Sequence, residues 1–339
     1  MNNIKNEFIK RRKNTIIITF VLTILMLILA ITMLMYGNKL YSISTVIKVL
    51  TGQDIENAGF VIRKLRLPRM IAGILSGMAL GIAGNTFQMM LRNPLASPDV
   101  LGIASGSSAA AVFCILILGM SGINVSIISI ICGLITSLLI FLLSREGKYI
   151  GGKIILIGIG FQTVYTSIIM FILSKSNEYD IPKALRWLNG NLDNVKGEYL
   201  PYLFVVHIIF SAIILLNEKK LQILELGDEK SLSLGLDIKK SKFILMISSV
   251  LMISFAISIT GPILFVAFLA GPIARQIVGK SNSSTIAAAM VGAIIVLSSD
   301  LIGQYLFATR YPVGVITGAI GTPYLIYQII KMNNSGVSI

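Results

Sequence analysis

Acidic residues are scarce in this chain, 15 Asp and Glu against 29 Lys and Arg, and 339 residues include a single histidine, a single tryptophan and two cysteines. Each shortage closes off a kind of chemistry. No Ser/His/Asp arrangement, paired carboxylates or zinc-ligand spacing can be picked out, which argues against an intramembrane enzyme and leaves no catalytic, cofactor-binding or metal-ligating residue to name. His207 sits in an apolar run, where packing with one hydrogen bond is a plainer role than catalysis. Cys114 and Cys132 lie in apolar runs without a CxxC pattern or a neighbouring histidine, so buried thiols are expected rather than a disulfide or metal site. Charge of either sign is thin: 13% of residues are charged against 55% hydrophobic, and the mean hydropathy is +0.84. That balance excludes an ordinary soluble domain and indicates a polytopic membrane protein. The net charge of +14 does not point to nucleic acid, because the basic residues are spread over short loops and form no basic domain.

Apolar runs of spanning length are abundant. The first, Thr15 to Tyr36, follows KNEFIKRRKN and ends at Met33-Leu34-Met35-Tyr36 without a small-residue cleavage site. A retained helix is expected, its start held in the cytoplasm by Lys10, Arg11, Arg12 and Lys13. Further runs fall near residues 68–91, 99–119, 123–143, 154–173, 200–216, 241–260, 263–278, 284–307 and 312–330. The expectation is an all-α polytopic membrane protein of about ten helices of roughly 20 residues each, in the cell membrane. It forms one transmembrane unit over 1–339, with both termini cytoplasmic and a cytoplasmic N-terminal segment over 1–14. At Gly261-Pro262 and Gly271-Pro272 one bent or re-entrant segment could replace two spans. Arg145, Lys148, Lys153, Lys219, Lys220, Lys239, Lys240, Lys242, Arg275 and Lys280 all fall on inner loops, as the positive-inside rule requires. Arg63, Lys64, Arg66, Arg69 and Arg310 fall outside against that bias. They suggest an acidic partner there, the alternative being solvated loop charge without function.

A transporter needs an energy source. Gly147 to Lys153 has the GxxxxGK spacing of a phosphate-binding loop, but Ile154 stands where Ser or Thr would hold magnesium, and no soluble strand precedes it. No soluble stretch reaches the roughly 50 residues of a domain. No nucleotide-binding domain is therefore expected, and ATP hydrolysis, if used, belongs to another subunit. Ion coupling would ordinarily need several carboxylates inside the bilayer. Only Asp300 lies clearly within a span, where an ionised carboxylate costs about 2.5–3.5 kcal/mol. A structural hydrogen bond to Ser298, Ser299 or Gln304 is a plainer role than a proton relay. A secondary transporter driven by an ion gradient would also be expected to show a repeat between halves, and none is evident.

The richest stretch is Arg66 to Gly102, RLPRMIAGILSGMALGIAGNTFQMMLRNPLASPDVLG. Gly73, Gly77 and Gly81 recur every four residues and form one helix face along which a neighbouring backbone can approach. Arg66-Leu67-Pro68-Arg69 marks one end of the helix and Arg92-Asn93-Pro94 the turn at the other. Over 221–236, Leu221, Leu224, Leu232 and Leu236 alternate with Glu225, Asp228 and Glu229. Short helices lying on another protein would have this pattern, and so would a solvated amphipathic connector. Gly227 permits a turn between its two pieces.

Taken in order, RLPR at 66–69, QMMLRNPLASPDVLG at 88–102, Trp187-Leu188-Asn189-Gly190, Leu226-Gly227-Asp228-Glu229 with Leu234-Gly235, Gly261-Pro262-Ile263, Gly271-Pro272-Ile273-Ala274-Arg275, Pro312-Val313-Gly314-Val315 and Gly321-Thr322-Pro323-Tyr324 make a specific set. With these motifs the chain, from about Tyr41 to Lys331, resembles the FecCD-type permeases, ten-helix membrane subunits of ABC importers for iron-siderophores, haem and cobalamin. The resemblance implies a second permease subunit, identical or not, two ATP-binding subunits that use ATP and magnesium, and an extracellular substrate-binding protein. It implies no cofactor held by this chain itself and no enzymatic activity of its own. Arg66 and Arg69 match the family's docking arginines, and Arg310 is the expected third; guanidinium suits carboxylate partners.

The resemblance makes Leu226, Gly227, Asp228, Glu229, Leu234 and Gly235 the centre of a cytoplasmic coupling loop seated on the ATPase. It makes Arg145–Lys153, with Gly147, Gly151 and Gly152, an inner gate, although flexible turn glycines would read the same. The mechanism implied is alternating access around a central cavity. Two departures stand out. The GPIAR form, where many relatives have Pro-His, resembles siderophore systems and favours an iron chelate over cobalamin or haem. Gln304 stands where relatives commonly carry Arg, so an i,i+4 ion pair is lost and Asp300 needs another partner or a proton.

Overall fold

The computed structural model describes residues 2–53, 55–98, 102–144, 150–193, 195–279 and 283–334, and among them only helices, turns and loops occur. The helices are α1 (Asn2–Met35), α2 (Ile43–Leu50), α3 (Leu67–Leu91), α4 (Ile103–Leu116), α5 (Ile123–Ser144), α6 (Ile150–Lys175), α7 (Ile181–Leu188), α8 (Leu200–Leu216), α9 (Glu218–Glu225), α10 (Asp228–Ser233), α11 (Ile238–Thr260), α12 (Val266–Val278), α13 (Thr285–Tyr305) and α14 (Val313–Asn334). A short helical lead-in, Ala58–Phe60 and then Val61–Arg66, runs straight into α3. The second piece is π-wound, with the Leu67 N–H bonded to the Ile62 carbonyl. Such widening is apt just before Pro68, which has no N–H to donate to the preceding turn.

Eight described helices are long and apolar enough to cross a membrane: α1, α3 with its lead-in, α5, α6, α8, α11, α13 and α14. The two remaining expected spans appear as the shorter apolar helices α4 and α12. With 14 and 13 residues they reach only about 20 Å at 1.5 Å per residue, short of a hydrocarbon core of about 30 Å. At Gly261-Pro262 the chain breaks between α11 and α12 instead of bending through, whereas Pro272 lies inside α12 without ending it.

The bundle is organised around α3, in which every residue from Ala79 to Leu91 is buried. Its glycine face packs on α13. A Cβ on Gly77 would stand 2.6 Å from the Gly292 carbonyl oxygen, and one on Gly81 would strike the Ala288 carbonyl; Gly73 faces Leu297 and Leu192. Backbone this close admits no side chain, the small-residue packing that substitutes for a hydrophobic driving force in lipid. At the other extreme α6 is largely uncovered, with Leu156 72% and Phe171 65% exposed. Apolar surface of that extent suits lipid or a partner subunit.

Candidate functional site

The sequence motifs collect at the two ends of α3. At the RLPR end, Arg66 reaches back to the end of α1. Its Nη1 donates to the Leu34 and Met35 carbonyls, each at 2.8 Å, and its Nη2 to the Lys39 carbonyl at 2.7 Å. The guanidinium also lies 4.9 Å from the Tyr41 ring centroid. It thus caps carbonyls that a helix C-terminus leaves without partners, where the helix dipole favours a cation.

Arg69 turns inward. Its Nε and Nη2 donate to the two carboxylate oxygens of Asp300 at 2.8 and 2.7 Å, and its Nη1 bonds Asp193. Gln304 Nε2 donates to Asp300 Oδ2 at 2.6 Å. The carboxylate that appeared short of a partner is therefore held by Arg69 from α3 and Gln304 from its own helix. Ser298 instead donates to the Ile295 carbonyl, and the Ser299 hydroxyl is buried without a partner among the described residues. Arg310 is exposed, donating to Asn38 Oδ1 at 2.6 Å, on the same 36–39 loop that Arg66 holds. Of the three arginines expected to dock a partner, Arg310 alone has an exposed side chain.

Asp193 belongs to the loop after Trp187-Leu188-Asn189-Gly190, which is tied to two further motifs. The Asn191 N–H donates to the Thr260 carbonyl at 2.6 Å, beside Gly261-Pro262, and the Gly314 N–H to the Gly190 carbonyl at 3.4 Å. Four motifs far apart in sequence thus form one knot around Arg69. Lys183, Arg186 and Lys196 border the same loop, basic residues beyond the five singled out from sequence.

At the Arg92 end, α3 stops because Arg92 adopts a left-handed conformation (φ 53°), and the Asn93 side chain accepts the Leu95 N–H at 2.8 Å. The helix pair α9–α10 stands there on a buried footing of Leu221 and Leu224. Gly227 turns between them at φ +107°, with the Arg92 guanidinium so near that a Cβ would lie 2.9 Å from it. Ser231 donates across the turn to the Ile223 carbonyl at 2.8 Å. Asp228 accepts from the Lys242 Nζ at 2.9 Å, so its carboxylate locks α10 to α11, while Glu229 is exposed. The leucines divide: Leu221 and Leu224 point in, Leu236 is half-buried, and Leu226, Leu232 and Leu234 are 54%, 63% and 61% exposed. Gly235 has a left-handed φ of +77° and open space around it.

From this pair a polar route runs inward. Glu225 lies 3.8 Å from Arg275, whose Nη2 donates to Gln88 Oε1 at 2.8 Å; Gln88 Nε2 in turn donates to the Phe268 carbonyl at 3.0 Å. A Cβ on Gly271 would strike the same Gln88 oxygen. Phe268 and Phe265 face a cavity of about 350 Å³ between α4, α6, α12 and α14, with Ser97, Ser105, Ser108 and Gln162 supplying polar groups and, among the described residues, no charged side chain in its lining. The sequence motifs supply Ser97, Leu188 and Pro262 to this wall, but nothing in their spacing marked them as lining one cavity, and Phe265, Phe268 and Gln162 stood in no motif.

Of the expected gate glycines, Gly151 and Gly152 lie in the first turn of α6 rather than in a turn between helices, and Gly147 is outside the described residues. His207 is buried in the packing of α8, with Nδ1 lacking a partner among the described residues.

Comparison with known proteins identifies the chain's family. The FecCD transport family matches over residues 23–331. The ferric enterobactin transport system permease protein FepG of Escherichia coli is 31% identical over 292 residues, covering 85% of this chain and 88% of that protein. The Fe(3+)-citrate import system permease protein YfmE of Bacillus subtilis is 32% identical over 323 residues, covering 94% and 96%. The solved structure of an ABC transporter of metal-chelate type, in an inward-facing conformation, superposes with a TM-score of 0.82 at 26% identity, covering 93% of this chain and 99% of that one. The chain belongs to the FecCD transport family and is a multi-pass membrane permease.

Proposed function

We propose that this permease is the membrane subunit of an ABC importer in the cell membrane, carrying an iron chelate, a ferric siderophore first among them. Transport proceeds by alternating access driven by ATP hydrolysis on separate subunits. The observation that carries the reading is the helix pair α9–α10: three exposed leucines on a buried footing, locked to α11 by Asp228–Lys242 and joined through Arg275 and Gln88 to the wall of the cavity. A solvated connector has no need to hold Leu226, Leu232 and Leu234 outward on a braced frame. A partner surface with matching grooves does.

In this reading the Arg92 end is cytoplasmic and receives an ATPase subunit, and a second permease subunit completes the cavity. The RLPR end receives an extracellular binding protein through Arg66, Arg69 and Arg310. Arg310 offers the exposed guanidinium, while Arg69 meets solvent beside Asp193, whose side chain is 41% exposed and could yield its place to a partner's carboxylate. A cavity lining that is uncharged among the described residues suits passage of a bulky chelate rather than tight retention.

The test is reconstitution with the cognate ATPase and binding protein. ATP-dependent uptake of a ferric siderophore, with ATPase activity stimulated by the loaded binding protein, is the expected result. Uptake that survives ATP depletion and stops with an uncoupler would overturn it.

A further inference from the structure

A lateral groove of about 340 Å³ opens between the last turns of α5 and the first turns of α11, and it shares no lining residue with the cavity described above. Its wall is Leu138, Leu142 and Phe243, 43%, 51% and 42% exposed, with the rings of Phe141 and Phe243 stacked at a tilt, centroids 5.6 Å apart. Its rim is Lys239 and Lys240, both exposed. Lys242 also lines it but is committed to Asp228. Asp237, the acidic residue beside this rim in sequence, is turned onto the helix, accepting the Lys240 backbone N–H at 3.0 Å. Among the described residues, neither rim lysine has an ion-pair partner.

We infer that this groove binds one anionic phospholipid, its phosphate on Lys239 and Lys240 and an acyl chain along Leu138, Leu142 and Phe243. The argument is one of matching halves. The lysines occupy the first turn of a membrane span (Ile238–Thr260), so they lie where charged chain gives way to apolar chain, the depth of a lipid headgroup. Directly below, the wall is aromatic and aliphatic and open to the side, a shape that an acyl chain fills without leaving the bilayer. A zwitterionic lipid would satisfy the wall but not the two cations. Free phosphate would satisfy the cations but not the wall. The site stands on membrane insertion and does not depend on the transport reading, so the two can fail separately. Lys242, on the same turn, ties it to the helix pair α9–α10 through Asp228.

The experiment is native mass spectrometry on the delipidated full chain with its partner subunits, titrated with dioleoyl phosphatidylglycerol or dioleoyl phosphatidylcholine. The wild type should hold one phosphatidylglycerol per chain at least tenfold more tightly than phosphatidylcholine, and millimolar inorganic phosphate should not displace it. Lys239→Gln with Lys240→Gln should weaken phosphatidylglycerol binding by roughly fivefold per lysine. Leu142→Trp, which fills the groove and leaves both cations, should weaken it as well. Equal binding of the two lipids, an unaffected lysine variant, or an unaffected Leu142→Trp would each overturn the assignment; displacement by phosphate would show an anion site without a lipid.

Discussion

Removing Arg69 separates an internal role from a docking role. Asp300 is 1% exposed and the Arg69 side chain 14%, and the two are joined by a pair of hydrogen bonds of 2.7–2.8 Å. In Arg69→Gln the Asp300 carboxylate keeps only the Gln304 amide, and the loop carrying Asp193 loses its anchor on α3. Stripping one partner from a buried pair costs about 3–5 kcal/mol, because the remaining charge is left without compensation. Arg69→Gln with Asp300→Asn replaces the pair by two amides that can bond each other and should regain most of that loss, a coupling of about 2–3 kcal/mol. The assay is thermal unfolding of the purified transporter, run beside affinity for the binding protein. The single variant should melt several degrees lower, and the double variant should melt near the wild type. If Arg69→Gln melts like the wild type and loses only binding-protein affinity, the grip on Asp300 is dispensable and Arg69 acts as a docking contact alone.

Three further outcomes follow from exposure and close approach. Gly77→Ala forces a methyl group against the Gly292 carbonyl oxygen, so it should cost about 1–3 kcal/mol and reduce the yield of folded protein by size-exclusion chromatography; a wild-type melt would contradict the packing of α3 on α13. Leu232→Asp with Leu234→Asp changes exposed side chains and should leave stability within about 0.5 kcal/mol, yet cut ATPase copurification by roughly tenfold; undiminished copurification would remove α9–α10 as the seat of the ATPase. Arg310→Glu should lower binding-protein affinity at least tenfold with a weaker dependence on salt, measured by surface plasmon resonance, and leave the melt unchanged; unchanged affinity would place docking elsewhere.

Much of this was legible because membrane chains state their helices in runs of apolar residues, and because Gly73, Gly77 and Gly81 announce a packed face by spacing alone. Pairing across the bundle was not. Nothing local joins Asp300 to Arg69, 231 positions away; the sequence shows a lone intramembrane carboxylate and an arginine at a span end, and the plain reading sends one to its own helix and the other to solvent. The same holds for the leucines of 221–236, whose period marks an amphipathic segment without saying that Leu221 and Leu224 face the bundle while Leu232 and Leu234 do not.

Gln88 and Arg275 carry this furthest. As sequence, QMMLRNP and GPIAR are two separate motifs. In the fold, Gly271 leaves the space that the Gln88 amide occupies, Arg275 grips its oxygen, and its nitrogen holds the Phe268 carbonyl in the cavity wall. The two motifs are one device, and neither half has a purpose that its own neighbours reveal. Gln88→Leu keeps the volume and removes both hydrogen bonds, leaving Arg275 with Glu225 alone. If the route from α9–α10 to the cavity runs through this amide, the variant should keep binding-protein-stimulated ATPase activity while uptake per ATP falls several-fold, and Arg275→Gln should add little to it. Fully additive losses from the two changes would show that the residues act apart, and the route would then have to lie elsewhere in the bundle.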